Sequence, residues 1–348
     1  MRKIEYYGMW MLMFLLSACN VYEWPETAES VKLHLRLKYE TDMTLWEYSY
    51  NGVAVEEKGL GDTYDNQQHV GKIRYIIRTY PISEKQRTAY NYTQEFVITK
   101  DMAEGYDHEV TLNLLPGSYT IMVWSDLLKT TSDSYFYDAN NFAEIKLQGN
   151  YQGNSHHRDA FRGMNNISLV TDVKEHQPDT LNVTMQRPLA KFEFITTDLK
   201  KFIDKELQIL AKEAETRGEM IPTEIDTKNY KVVMQYASFM PNTYNMMTDK
   251  PIDSATGVFF ESALDVLNEE EASLGFDYVF VNGSEAGVSV QIGLYDKENR
   301  QLGFTEPINV PLRRNRHTLV KGSFLMQQAS GGITIDSDFD GNHNIIIE

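Results

Sequence analysis

The sequence predicts an all-β fold made of two antiparallel β-sandwiches in tandem, with one helix in the second. Three observations lead there. Short runs with a period of two recur along the 348-residue chain, separated by Gly, Pro, Asn and Asp clusters. A single stretch carries a sustained helical period. No strand–helix–strand rhythm of the kind that builds a parallel sheet is present. Composition agrees, since 42% hydrophobic residues with 21 Tyr, 16 Phe and 4 Trp belong to a folded, β-rich chain.

The chain opens with Arg2 and Lys3, then the apolar run Met9-Trp10-Met11-Leu12-Met13-Phe14-Leu15-Leu16. That order of charge, short apolar core and small residues is a secretory leader. The run is shorter than the roughly 20 apolar residues needed to span a bilayer. It ends in Leu16-Ser17-Ala18-Cys19, and Cys19 is the one cysteine in the chain. The tetrad resembles the bacterial lipobox. The resemblance implies cleavage between Ala18 and Cys19, with acyl chains, palmitate among them, added at Cys19. The competing reading is a buried free cysteine. Removing residues 1–18 leaves 330 residues with no second cysteine, so no intrachain disulfide is expected. The net charge of −17 becomes −18 when Arg2, Lys3 and Glu5 leave. So acidic a chain repels nucleic acid and anionic headgroups, which leaves the membrane contact to the lipid.

Residues 19–30 read as a short acidic tether broken by Pro25. The cleanest strand follows: Val31, Leu33, Leu35, Leu37 and Tyr39 alternate with Lys32, His34, Arg36 and Lys38. Residues 51–71 carry four glycines and read as a polar loop. Strands are expected at 73–80, 94–99, 109–115 and 118–124, the last two joined as a hairpin by Pro116-Gly117. Residues 149–166, rich in Asn, Gly, His and Gln, read as a long surface loop, and shorter strands follow at 167–170 and 180–185. Pro188 suggests a boundary, dividing the chain into a leader (1–18), a tether (19–30) and sandwiches at 31–188 and 189–348. Each sandwich then has roughly 155 residues, a usual domain size.

The helix is expected at 199–217. Leu199, Ile203, Leu207, Leu210 and Ala214 recur every three or four residues, with Thr197 or Asp198 as N-cap and Gly218 just beyond the end. Its stripe reads as a face packed on a sheet. Strands follow at 231–238, 278–281, 288–295, 302–305 and 318–325, and the chain closes through Ile333-Thr334-Ile335 to Ile345-Ile346-Ile347.

Candidate chemistry is sparse. Asp336-Ser337-Asp338-Phe339-Asp340-Gly341 begins like a calcium loop, but the twelfth position, where a bidentate glutamate belongs, is Ile347. It reads as a polar turn. His156-His157 with Asp159 is too small a set for zinc, and a solvated loop is preferred. No nucleophile elbow, phosphate loop, dinucleotide fingerprint or His-Glu-x-x-His motif is present. Paired carboxylates of a glycosidase cannot be picked from sequence, because their spacing is spatial. Strand aromatics read as core, while Tyr135-Phe136-Tyr137 stays open between core and a sugar-stacking surface.

Several stretches together resemble the fimbrillin-type surface lipoproteins of Bacteroidales, and among them the FimB-type anchor subunits. They are the lipobox at Cys19 with its tether, and the strand 31–39 followed by Ile73-Arg74-Tyr75-Ile76-Ile77-Arg78-Thr79-Tyr80-Pro81. Further stretches are His157-Arg158-Asp159-Ala160-Phe161-Arg162-Gly163, Gln186-Arg187-Pro188-Leu189-Ala190-Lys191-Phe192 and Pro311-Leu312-Arg313-Arg314-Asn315-Arg316-His317-Thr318. The resemblance implies two transthyretin-like β-sandwiches and an outward-facing outer-membrane lipoprotein that serves fimbria assembly and cell adhesion. It implies neither enzyme activity nor a cofactor. In polymerising relatives a protease removes the first strand after a basic residue, and a strand from the next subunit fills the groove. The implied partners are thus fimbrial subunits, through β-strand addition, and the outer membrane, through acyl chains on Cys19. An anchor need not be cut in this way: if residues 31–39 stay joined to acylated Cys19 the groove stays closed, although Arg36 and Lys38 offer basic cleavage points within the strand. Two other classes compete: a glycan-binding surface lipoprotein of a nutrient-uptake system, and a lipid-anchored hydrolase.

Overall fold

The computed structural model describes residues 30–49, 53–58, 71–82, 92–101, 106–128, 134–169, 180–282 and 286–327. The leader, Ala18, Cys19, the tether, the calcium-like turn and both C-terminal isoleucine runs lie outside these residues. In chain order the first half contains β1 (Val31–Tyr39), β2 (Thr44–Ser49), β3 (Val53–Lys58), β4 (Lys72–Pro81), β5 (Gln94–Asp101) and β6 (His108–Leu114). It continues with β7 (Gly117–Leu127), β8 (Tyr137–Asp138), β9 (Ile145–Leu147), β10 (Ala160–Leu169) and β11 (Thr180–Met185). Next come β12 (Leu189–Thr196), the helix α1 (Leu199–Arg217), β13 (Tyr230–Tyr236), β14 (Met240–Asn245), β15 (Lys250–Ala255) and β16 (Phe259–Ala263). The last are β17 (Asp265–Val266), β18 (Ala272–Phe280), β19 (Ala286–Asp296), β20 (Gln301–Phe304), β21 (Ile308–Leu312) and β22 (Arg316–Gly322). The chain is all-β with one α-helix among the described residues.

Five sheets form. A three-stranded sheet, β11-β1-β6, faces a four-stranded one, β10-β7-β4-β5. Between them Leu33, Leu35 and Leu37 meet Ile73, Tyr75, Ile77, Ile121 and Val123. Each such buried aliphatic side chain contributes about 1.5–3 kcal/mol by leaving water. A six-stranded sheet, β17-β18-β12-β22-β2-β3, faces a sheet of β16-β13-β19-β20 with β21 also on β19. Phe192, Phe194, Val232, Met234, Val290 and Ile292 fill the space between them. The fifth sheet, β15-β14-β9-β8, draws strands from both halves.

The other face of β4 and β7 is buried too. Ile76, Tyr80, Met122 and Trp124 join Tyr137, Phe142, Tyr244, Phe276, Tyr278 and Phe280 in a third core. This explains why β18 is buried at every position and β4 at six consecutive ones. A strand covered on both faces loses the in–out alternation of a half-exposed sheet. On β18 the sides also exchange. Ala272 and Leu274 point into the C-terminal core, whereas Phe276, Tyr278 and Phe280 point into the shared one. The register shift where β12 and β18 pair, between Phe194 and Ile195, adds one residue on β18 and inverts its parity.

Several local expectations change in three dimensions. Residues 51–71 include β3, which pairs with β2. The strands on either side of Pro116-Gly117 are not a hairpin: β6 pairs with β1, and β7 pairs with β4 and β10. The turn carries the chain from one sheet to the facing one. Among the described residues three pairings are parallel, β1 with β11, β12 with β22 and β2 with β22. The β2–β3 hairpin lies within 31–188, yet it hydrogen-bonds to β22 of the C-terminal sheet. The expected surface loop 149–166 is only part loop, because β10 starts at Ala160 and Arg158 and Asp159 are buried. Phe136 and Tyr137 are core residues.

The helix has the expected bounds, and Gly218 ends it at a φ of 68°. Leu199 and Phe202 face the C-terminal core, where Phe202 meets Tyr230 edge-on at 5.2 Å. Asp198 occupies the N-cap position but makes no capping hydrogen bond with its side chain. Its carboxylate instead accepts the Thr196 hydroxyl and the amides of Leu325 (3.3 Å) and Met326 (3.0 Å), tying down the segment after β22.

Candidate functional site

The arginines of the three motif stretches converge where the two halves meet. Residues His156–Arg158 form one 3-10 turn, which carries Arg158 and Asp159 inward just before β10. Arg158 Nη1 lies 3.1 Å from Asp277 Oδ1 on β18, and its Nη2 donates to the Tyr278 carbonyl at 3.1 Å. Its guanidinium sits 4.3 Å from the ring centre of Tyr151. Asp277 also accepts the hydroxyls of Tyr236 (2.7 Å) and Tyr151 and the amide of Tyr278 (2.8 Å). Burial pushes the Asp277 carboxyl up, while Arg158 and the two hydroxyls oppose that shift. Burial works against the Arg158 charge, but Asp277 leads the groups that raise its pKa above the usual arginine value.

The next residue makes a second pair. Arg187 Nε donates to both Asp159 oxygens at 2.9 Å, with both side chains fully buried. Arg187 Nη1 reaches the carbonyls of Glu40 (3.2 Å) and Thr41 (2.7 Å) and Asn315 Oδ1 (2.8 Å). One guanidinium thus binds the exit of β1, the entry to β10 and the turn before β22. Burial raises the Asp159 pKa, with Arg187 opposing. A buried ion pair of this kind needs further hydrogen bonds to offset desolvation, and Arg187 has them.

Two more carboxylates complete the set. Asp249 takes Arg162, Arg314 Nη1 (2.8 Å) and the Tyr244 hydroxyl. Although burial opposes its charge, these groups hold its carboxyl below the usual range. Asp126 accepts Arg74 through two bonds, 2.8 and 2.7 Å. Burial raises the Asp126 pKa and Arg74 opposes it. Each of these four aspartates faces an arginine, an arrangement that fixes geometry. No group of three or more His, Cys, Asp or Glu among the described residues could hold a metal ion. Asp159, weighed with His156 and His157 as a ligand set, is committed to Arg187, and His156 packs on Phe276 at 4.4 Å. Asp277, Asp249, Asp126 and Tyr151 escaped sequence reasoning, because no local pattern marks a carboxylate whose arginine is as distant in the chain as Arg158 is from Asp277.

Beside this junction lies β1. It is the middle strand of its sheet, parallel to β11 from His34↔Thr180 to Tyr39↔Met185 and antiparallel to β6 from Val31↔Leu114 to Leu37↔His108. Its outer face carries His34, which contacts Thr111 Oγ1 at 3.1 Å, and Arg36, which contacts Glu109 at 2.5 Å. β6 and β11 touch only through β1. Lifting β1 would leave a slot with two unpaired edges and an apolar floor. Among the described residues, no helix is long and apolar enough to cross a membrane.

A family of unknown function, DUF6562, matches residues 26–348. No curated protein matches the chain. Among solved structures, the fimbrial anchor protein Mfa2 from Porphyromonas gingivalis is similar at 10% identity and a TM-score of 0.37, over 79% of this chain and 82% of that one. The tip fimbrial protein Mfa3 from the same organism gives 12% identity and a TM-score of 0.36, over 81% of each chain. A Bacteroides thetaiotaomicron protein provisionally described as polysaccharide-binding gives 14% and 0.40, over 78% of this chain and 79% of that one. At these scores the likenesses carry no assignment of function.

Proposed function

We propose that this chain, which belongs to the DUF6562 family of unknown function, is a lipid-anchored structural subunit of a surface fimbria that acts in adhesion. The observation that carries the reading is the place of β1. The strand nearest the leader is also the middle strand of a sheet, with Leu33, Leu35 and Leu37 in the core. A strand so placed is the one that a neighbouring subunit would replace. Backbone hydrogen bonds to β6 and β11 would supply affinity, and alternate side chains would set register. While β1 stays joined to Cys19 the slot is filled from within, and the subunit can only end a fibre. That is the anchor role. Two or more acyl chains on Cys19 would hold it stably in the outer membrane, which one chain does not. The sandwiches, meeting near residue 188 and transthyretin-like in form on this reading, are then a non-catalytic scaffold, and the junction arginines keep them rigid under load.

Three measurements test the parts separately. Cys19→Ala moves the protein out of the membrane fraction; retention after carbonate and salt washing refutes the lipid anchor. Deleting the gene removes or releases fimbriae; an unchanged fibre count under the electron microscope refutes the fimbrial role. Mass analysis of the native N-terminus shows acylated Cys19 with β1 intact for an anchor. A new terminus after Arg36 or Lys38 would mark a polymerising subunit instead.

A further inference from the structure

An open cleft of about 770 Å³ lies between the 149–155 segment and β16, and the proposed fimbrial role leaves it unused. Its size is within the usual range for small-ligand sites. Tyr151, Phe259 and Phe260 supply rings, while Asn150, Gln152, Ser155 and Glu261 supply polar groups. Tyr151 is held rigidly, with its hydroxyl on Asp277 and the Arg158 guanidinium against its ring. The wall is shaped by a close approach at Gly153. A Cβ there would stand 2.4 Å from Phe260 Cγ, so only glycine lets the segment lie against that ring.

The polar groups are mostly uncharged. The side chains of Asn150, Gln152 and Ser155 make no hydrogen bond among the described residues. Each amide offers a donor beside an acceptor, which matches hydroxyl groups that both give and accept. The one ionised lining group, Glu261, is already paired with Lys231 at 2.7 Å. The cleft therefore offers no free charge to an ionic ligand. Rigid rings, free amides and balanced charge together fit a polyhydroxylated, uncharged molecule that presents C–H faces.

We infer that this cleft binds a neutral oligosaccharide, with one sugar ring against the half-buried Tyr151 and its hydroxyls on the exposed Asn150 and Gln152. The inference stands apart from the fimbrial reading. The rival occupant is an extended peptide added to the edge of β16, which is only five residues long. Such a partner would bond to backbone and leave the two amides idle.

The full chain is screened on an array of short neutral oligosaccharides and, separately, against a library of extended peptides, and hits are titrated calorimetrically. The double variant Asn150→Ala/Gln152→Ala is compared throughout. Both side chains are exposed and free of protein partners, so its melting temperature should match the parent's. Binding of at least one neutral oligosaccharide, weakened about tenfold or more in the variant, supports the site. Absence of saccharide binding at millimolar concentration, binding indifferent to the substitutions, or capture of peptide alone overturns it. None of these results bears on fibre count or membrane retention, so the two readings fail separately.

Discussion

Replacing Arg187 by alanine should be among the costliest single substitutions in the chain. The side chain is fully buried and its Nε holds both oxygens of Asp159, itself fully buried. Removing one partner of a buried ion pair strands the other charge, at about 3–5 kcal/mol. The Thr41 carbonyl and Asn315 amide oxygen also lose a charged donor, so the upper part of that range is expected. For domains of this size each kcal/mol lowers the melting temperature by about 2–4 °C, giving a fall of roughly 6–20 °C. Calorimetry measures it directly. The paired variant Asp159→Ala/Arg187→Ala should cost much less than the sum of its two singles, because the second removal relieves the stranded charge. Arg187→Lys should rescue little, since an ammonium cannot span an aspartate and three further acceptors in fixed directions. Amides of β1 should also exchange faster in Arg187→Ala, because the carbonyls of Glu40 and Thr41 anchor the exit of that strand. A fall below 2 °C (under about 1 kcal/mol on the same scale), or additive singles, would refute the view that this pair joins the halves.

Two further outcomes follow from the same geometry. Glu193, although burial opposes its charge, is held down to about 2 by His317, Lys191 and Ser273. A depressed carboxylate adds stability that is present above its unfolded value near pH 4.5 and is lost as pH falls toward 2. Urea melts of the parent and of Glu193→Gln should therefore draw together progressively as pH falls from 4.5 toward 2, and a constant gap across that window would contradict the assignment. Leu35→Ala, at the centre of β1, should cost about 2–5 kcal/mol in urea melts, and a loss under about 1 kcal/mol would mean that β1 does not close the first core.

Much of the local structure is legible before folding. The alternation from Val31 to Tyr39 gives β1, with Lys32, His34, Arg36 and Lys38 outward, because a period of two is a property of the strand itself. The stripe from Leu199 to Ala214 gives α1 for the same reason, with a period of 3.6. Where a strand is covered on both faces, the signal fades. Short or exposed strands are equally silent: β15 is largely exposed and β17 has two residues, while β14, β16 and β21 are only five or six residues long. The 149–166 stretch read as loop because its Asn, Gly and His content hides a strand that starts inside it at Ala160. The candidate site was half visible. Arg158, Arg162, Arg187 and Arg314 stood in stretches that drew notice, but their carboxylate partners Asp277, Asp249 and Asp159 did not announce the pairing.

What the chain's order of residues settled alone was class and local form: an all-β protein, one helix with its ends, and a first strand with a buried and a wet face. Tertiary structure decided who pairs with whom. It sent β2 and β3 to the far sheet, set β6 and β7 in facing sheets, and gave the two halves a common third core. It also turned a His-Arg-Asp stretch that looked solvated into the centre of a buried ionic weld. Propensity and periodicity act over a few residues, so sequence carries them. Strand partnership and desolvation of charge depend on which surfaces meet, and that exists only once the chain has closed on itself.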